Sequence, residues 1–143
     1  MPAATTTQVL GATLPLWCCA CGAEVQARLT TCAEIYRHRQ DLAHLPRWRC
    51  DACGNHVGCH HKTPDRTRPL GVIPDPAMAQ ARQHIHALLD PLWQHGRLKR
   101  STVYARLTGV LGRQYHTADL RSLDEARAIY IAVQNIAREV HTQ

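Results

Sequence analysis

Two short cysteine patterns, Cys18-Cys19-Ala20-Cys21-Gly22 and Cys50-Asp51-Ala52-Cys53-Gly54, repeat the spacing C-x-x-C-G. Two residues between cysteines let both thiolates reach one ion at about 2.3 Å, with the backbone between them turned as a knuckle. The glycine after each pair accepts the positive φ that such a turn tends to need. Two matched knuckles predict one structural zinc site, with Cys18, Cys21, Cys50 and Cys53 as a four-thiolate tetrahedral cage. Four unrelated buried cysteines would have no reason to repeat the glycine.

Three of the seven cysteines remain. Using Cys19 in place of Cys18 would shorten the first knuckle to C-x-C, a poorer chelate. Cys32 reads as a small buried apolar residue in a strand. Cys59 heads Cys59-His60-His61 just past the second knuckle, and with His56 these side chains have the types for a second metal. The plainer reading is that they cover the zinc module or lead out of it. The odd cysteine count, the lack of a secretory apolar region and the lack of a membrane-length apolar run argue against a secreted disulfide framework. Reduced thiols bound to metal imply the cytoplasm, with no membrane partner.

The net charge is +6 and the pI about 9.2. Arg28, Arg37, Arg39, Arg47 and Arg49 lie inside the cysteine module, while Arg97, Lys99, Arg100, Arg106 and Arg113 follow one another without an intervening acid. This excess suits a polyanion, and equally suits a solvated basic surface. Arg47, Arg49, Lys99, Arg100 and Arg106 are the candidate nucleic-acid contacts. Lys99 and Arg100 stand before Ser101 at an expected helix start, where free N–H groups welcome phosphate. Arg82, His86 and Asp90 fall at i, i+4 and i+8, on one helix face. That face could orient a phosphate or hold a local ion-pair ladder.

The elements that must position these groups divide at a change of period. Residues 1–14, rich in Ala and Thr, read as a disordered lead-in. Residues 15–61 read as a zinc ribbon. In it Val25, Ala27 and Leu29 alternate with polar residues, Ala33-Glu34-Ile35-Tyr36 continues the strand, and Arg47-Trp48-Arg49 leads into the second knuckle. Such a module is too poor in large aliphatics for a core of its own, so zinc supplies the closure. Residues 62–76 carry four prolines and read as a linker. Residues 77–143 predict three helices forming a compact bundle. The first opens at Asp75-Pro76, carries Met78, Ala81, Ile85, Leu88, Leu89 and Leu92, and kinks or ends near Asp90 because of Pro91. The second starts after Ser101, buries Val103, Leu107, Val110 and Leu111, and stops at Gly112. The third opens on the capping box Ser122-Leu123-Asp124-Glu125 and carries Ile129, Val133, Ile136 and Val140. The fold class is therefore α+β.

Beyond the knuckles the chain contains Ala33-Glu34-Ile35-Tyr36, Trp48 before Cys50, Val57-Gly58-Cys59-His60, Arg68-Pro69-Leu70-Gly71, His86 with Asp90-Pro91-Leu92-Trp93, and Arg100 with Tyr104 and Leu107. With these motifs in this order, from about Trp17 to Ile136, the sequence resembles a phage and prophage family of small zinc-finger-containing proteins of undefined function. The resemblance implies zinc at the four knuckle cysteines and a phage or mobile-element origin, without implying a reaction. It also raises the interest of Cys59, His60, His86 and Asp90. The chain departs from the family pattern at Tyr115-His116-Thr117, where a His-Ile-Gly-like segment is usual.

Three functions compete. A nucleic-acid-binding accessory protein would use the arginines on phosphates and Trp17, Tyr36 and Trp48 as stacking surfaces. A protein-interaction module would dock onto host machinery. A metal-assisted nuclease would need an acid–histidine framework between the knuckles, where only His38 and His44 stand, or just after them, where Asn55-His56 follows. Phosphate-binding glycine loops and the G-x-S-x-G elbow are absent. The balance favours binding over catalysis.

Overall fold

The computed structural model describes residues 8–141. The chain is α+β and divides between Asp75 and Pro76 into two units. The first is a four-stranded antiparallel sheet in the order β1-β2-β3-β4: β1 Thr13–Cys18, β2 Ala23–Thr31, β3 Pro46–Arg49 and β4 His56–Gly58. The alternation in β2 turns Ala27 and Leu29 into a core shared with Cys18, Trp48, Cys50, Val57, Cys59 and Ile73, and Val25 packs against it. β1 begins inside the stretch expected to be a lead-in. Its approach is held by Gly11 N–H to the Leu29 carbonyl and Leu29 N–H to the Ala12 carbonyl. The rest of that expected segment, residues 1–7, lies outside the described residues.

The strand expected to run on through Tyr36 stops at Thr31, and Cys32–Ile35 forms a short helical turn, α1. Thr31 pairs with Pro46, the last position of the β2–β3 ladder. Proline has no N–H to donate to the ladder, and beyond it only single bonds cross, Cys32 N–H to the Leu45 carbonyl and Ala33 N–H to the Ala43 carbonyl. The chain coils instead, and Tyr36 N–H closes the turn on the Cys32 carbonyl at 2.7 Å.

The proline-rich stretch is not a free connector. Leu70 N–H bonds to the Gly58 carbonyl and His60 N–H to the Arg68 carbonyl, while Cys59 bridges Pro69 and Cys18 bridges Ile73. Thr67, Val72 and Ile73 are buried. A small sheet with few large aliphatics thus draws on the segment after β4 to complete its core, as burial of Ile73 outweighs the freedom of an extended chain.

The second unit holds α2 Pro76–Gln94, α3 Arg100–Leu111 and α4 Leu123–His141, each touching the other two. α2 does not end at Asp90; it passes Pro91 and continues to Gln94. Near a C-terminus proline removes a single intrahelical bond, and the buried pair Leu89 and Leu92 holds the last turn against the core. α3 buries Val103 and Leu107, but Val110 is exposed. α4 buries Ala126, Ile129, Val133 and Ile136. Gly112 closes α3, its N–H returning to the Thr108 carbonyl. At the capping box, Glu125 N–H donates to Ser122 Oγ at 3.2 Å, and the Glu125 carboxylate reaches back to Arg121 N–H. Among the described residues no helix is long and apolar enough to cross a membrane.

Candidate metal centre

Each half of the centre is built where a strand gives way to a tight turn. Cys18 ends β1, and Gly22 N–H returns to the Cys18 carbonyl at 2.9 Å. Cys50 follows β3, and Gly54 N–H returns to the Cys50 carbonyl at 2.7 Å. Gly22 and Gly54 have φ of 64° and 82°, values that side-chain-bearing residues rarely adopt. The repeated glycine thus has one backbone function at both turns.

The sheet brings the two turns together. The sulfurs of Cys18, Cys21, Cys50 and Cys53 lie within 4.8 Å of one another. Cys18 and Cys53 are separated by 3.5 Å, and Cys21 and Cys50 by 3.7 Å. Arms of about 2.3 Å to a tetrahedral zinc require sulfur–sulfur edges of roughly 3.8 Å. A sulfur–sulfur bond would need about 2.05 Å, and all seven cysteines are free thiols. Four soft donors with no oxygen or imidazole among them fit a structural zinc ion with no open position. The residues present therefore fit the metal.

The four ligands are not equivalent. Cys18 and Cys50 are buried, whereas Cys21 and Cys53 are exposed. Burial pushes the Cys18 thiol up to about 12. Burial also opposes ionisation of Cys53, but the Asn55 backbone N–H and the neighbouring thiols outweigh it and hold Cys53 at about 7. The Asn55 side-chain amide adds an N–H donor to the Cys53 sulfur at 3.3 Å. Asp51, inside the second turn, is gripped by two arginines. Arg28 donates from Nε at 2.8 Å and from Nη2 at 2.9 Å, and Arg49 donates from Nη1 at 2.5 Å. Its carboxyl is held below the usual range, first by the Arg28 hydrogen bond. Spacing alone did not point to Arg28, Glu34, Asp51 or Asn55; an acid between two ligand cysteines was the one available sign.

The other candidate residues are dispersed. Cys59 belongs to the sheet core, where burial pushes its thiol up to about 11. Among the described residues the four knuckle cysteines form the one cluster suited to a metal, and Cys59, His60 and His61 do not join into a second. Arg47 donates to His56 Nδ1 at 2.8 Å and lies over the Tyr36 ring. Trp48 has no exposed surface and is unable to stack on a base.

On the helices, of the expected three-residue face, His86 and Asp90 meet directly at 3.1 Å and Arg82 reaches toward the Ala118 carbonyl. Arg106 is paired with Glu139 and Arg113 with Glu125. Lys99 caps α3, and the Arg100 guanidinium lies 5.6 Å from the Trp93 ring centre and 4.1 Å from that of Tyr104. Tyr115 and Thr117, in the stretch that departs from the family pattern, are buried and joined hydroxyl to hydroxyl. That segment packs the helical unit.

A family model described as a zinc-finger-containing domain matches residues 14–139. No curated protein and no solved structure matches the chain.

Proposed function

The chain belongs to this family of zinc-finger-containing domains, and on that footing we propose that it is a zinc-binding accessory protein of a phage, prophage or mobile element that binds nucleic acid through basic surface on its helical unit. In this reading the sheet unit is a zinc ribbon, the helical unit a three-helix bundle, and the setting the reducing cytoplasm. The convergence of the four knuckle sulfurs carries the zinc assignment. The mobile-element assignment rests on the motif resemblance.

Charge distribution supports the nucleic-acid assignment. Residues 1–75 contain eight Lys/Arg against six Asp/Glu, and residues 76–143 nine against five. Zinc with four thiolates is a dianion, which offsets the small excess of the sheet unit. The basic excess then resides on the helices. With Arg106 and Arg113 paired, Arg97, Lys99 and Arg100 are the cations close in sequence at the start of α3, and Arg100 lies against Trp93 and Tyr104. Cations next to aromatic faces suit backbone phosphates and an unstacked base, which favours single strands.

The test is zinc per chain on untagged protein, then titration of fluorescent single- and double-stranded DNA and RNA at two salt concentrations. One zinc with salt-sensitive binding supports the reading. One zinc without binding moves the function to a host protein partner. Binding that ignores salt sinks the phosphate contacts.

A further inference from the structure

The second knuckle carries a carboxylate, Asp51, where the first carries Cys19. Its turn residue Asp51, between ligands Cys50 and Cys53, is fixed by side chains from outside the turn. Arg28 lies in β2 opposite Arg49 of β3, so the ladder places both guanidiniums on one face beside the turn. Arg28 forms a two-point bridge to Asp51 and reaches Glu34 Oε1 at 3.0 Å with Nη2. Arg49 adds its contact to the same carboxylate. The cluster is about half exposed at Asp51 and one-third exposed at each arginine.

We propose that Arg28, acting through Asp51, is a positioning residue for zinc: with Arg49 it clamps the second knuckle in its ligating shape. The proposal rests on the zinc-binding reading. Holding Asp51 at two points removes turn conformations that would separate Cys50 from Cys53 in the metal-free chain. Partners of this outer kind commonly change metal affinity by 10–100-fold. The solvent exposure here places the expectation at about tenfold.

The experiment measures zinc affinity of the full chain by competition with a chromophoric chelator, and cobalt absorption as a report of ligand geometry. The parent is measured first; a parent that takes up no zinc overturns the zinc reading itself and the clamp with it. With zinc bound, Arg28→Gln and Asp51→Asn are each expected to weaken affinity about tenfold, to shift the cobalt bands, and to be no worse together than singly. Arg28→Lys, which keeps charge but not the fork, recovers part of the loss. Glu34→Gln leaves affinity within twofold. If Arg28→Gln binds zinc as the parent does, or Asp51→Asn tightens it, the clamp is wrong while the zinc reading stands. Loss in Glu34→Gln equal to that in Arg28→Gln also overturns it, by moving the effect to α1.

Discussion

The indole N–H of Trp48 donates to the main-chain carbonyl of Thr67 at 2.6 Å, beneath the surface of the sheet unit. Trp48 lies in β3, with β2 between it and β1, and Thr67 lies in the proline-rich stretch. A single buried hydrogen bond thus joins the strand entering the second knuckle to the segment that returns over the sheet. Thr67 is itself held by Gln8 N–H on its hydroxyl. The returning segment then places Ile73 beside Cys18, with Ile73 N–H on the Trp17 carbonyl and Cys19 N–H on the Ile73 carbonyl.

Trp48→Phe keeps the ring and removes the donor, leaving the Thr67 carbonyl unsatisfied. The expected loss is about 1–3 kcal/mol, with a smaller share from lost volume. Chemical denaturation of the zinc-loaded protein measures it. Zinc per chain should be unchanged, since the indole N–H donates to a main-chain carbonyl and not to a knuckle sulfur.

Serine at Cys18, Cys21, Cys50 or Cys53 is expected to lower bound zinc below one per chain, measured by native mass spectrometry. Serine at Cys19, Cys32 or Cys59 should leave one. Cys59→Ser should nevertheless lower stability, because it places a hydroxyl in the sheet core. A full complement of zinc in Cys50→Ser would overturn the assignment of ligands.

Zinc removal should act on one unit. A strong chelator is expected to abolish the near-ultraviolet signal of the sheet tryptophans while most helical signal at 222 nm persists. Metal binding supplies folding free energy on the order of 10 kcal/mol to such a module, and the helical unit has its own core of Met78, Ile85, Leu89, Val103, Leu107, Ile129, Val133 and Ile136. Simultaneous loss of both signals would mean that the helices depend on the metal.

The knuckles were legible because their constraints are local: ligand spacing and a glycine at the turn are both written within five residues. Helix ends at Gly112 and Ser122 were legible for the same reason. What could not be read were pairings that depend on the folded register. Arg106 looked available for phosphate because Glu139 lies far along the chain, and Arg28 gave no sign of Asp51, past the end of the neighbouring strand. The proline content of residues 62–76 described the backbone correctly, as irregular, and was silent on where it packs. Trp48 illustrates the same limit, since an aromatic between arginines suits a stacking surface until the sheet buries it.

His56 should remain neutral well below the usual histidine range. Burial, then the charges of Arg47 and Arg49, lowers it to about 4 from 6.5, while Arg47 Nε donates to its Nδ1. The folded state therefore binds fewer protons than the unfolded one between those values. The associated stability is present above about 6.5 and is lost as pH falls toward 4. Ring-proton resonances of the zinc-loaded protein should show no His56 titration between pH 7.5 and 5.5. A midpoint near 6.5 would mean that the Arg47 contact does not persist in solution.

Glu125 gives the helical unit its own acid sensitivity, separable from the metal. Arg113 donates to its carboxylate at 2.7 and 2.9 Å, and the same arginine holds the Asp119 carbonyl, so the pair ties the end of α3 to the start of α4. The Arg113 hydrogen bond, against the opposing effect of burial, lowers Glu125 below its ordinary 4.5. Stability from this pair is thus present above 4.5 and is lost as pH falls through the lower folded value. Glu125→Gln should cost roughly 1 kcal/mol at pH 7, discounted for the partial exposure of both partners. Because that loss comes from a charge, the variant and parent should converge in acid once the Glu125 carboxylate is protonated, followed at 222 nm in chelator so that zinc release makes no contribution. Ser122→Ala, which removes only the hydroxyl accepting Glu125 N–H, should cost about 1 kcal/mol at pH 7 and in acid alike. A Glu125→Gln deficit that persisted unchanged in acid would assign its role to the neutral cap and not to the ion pair.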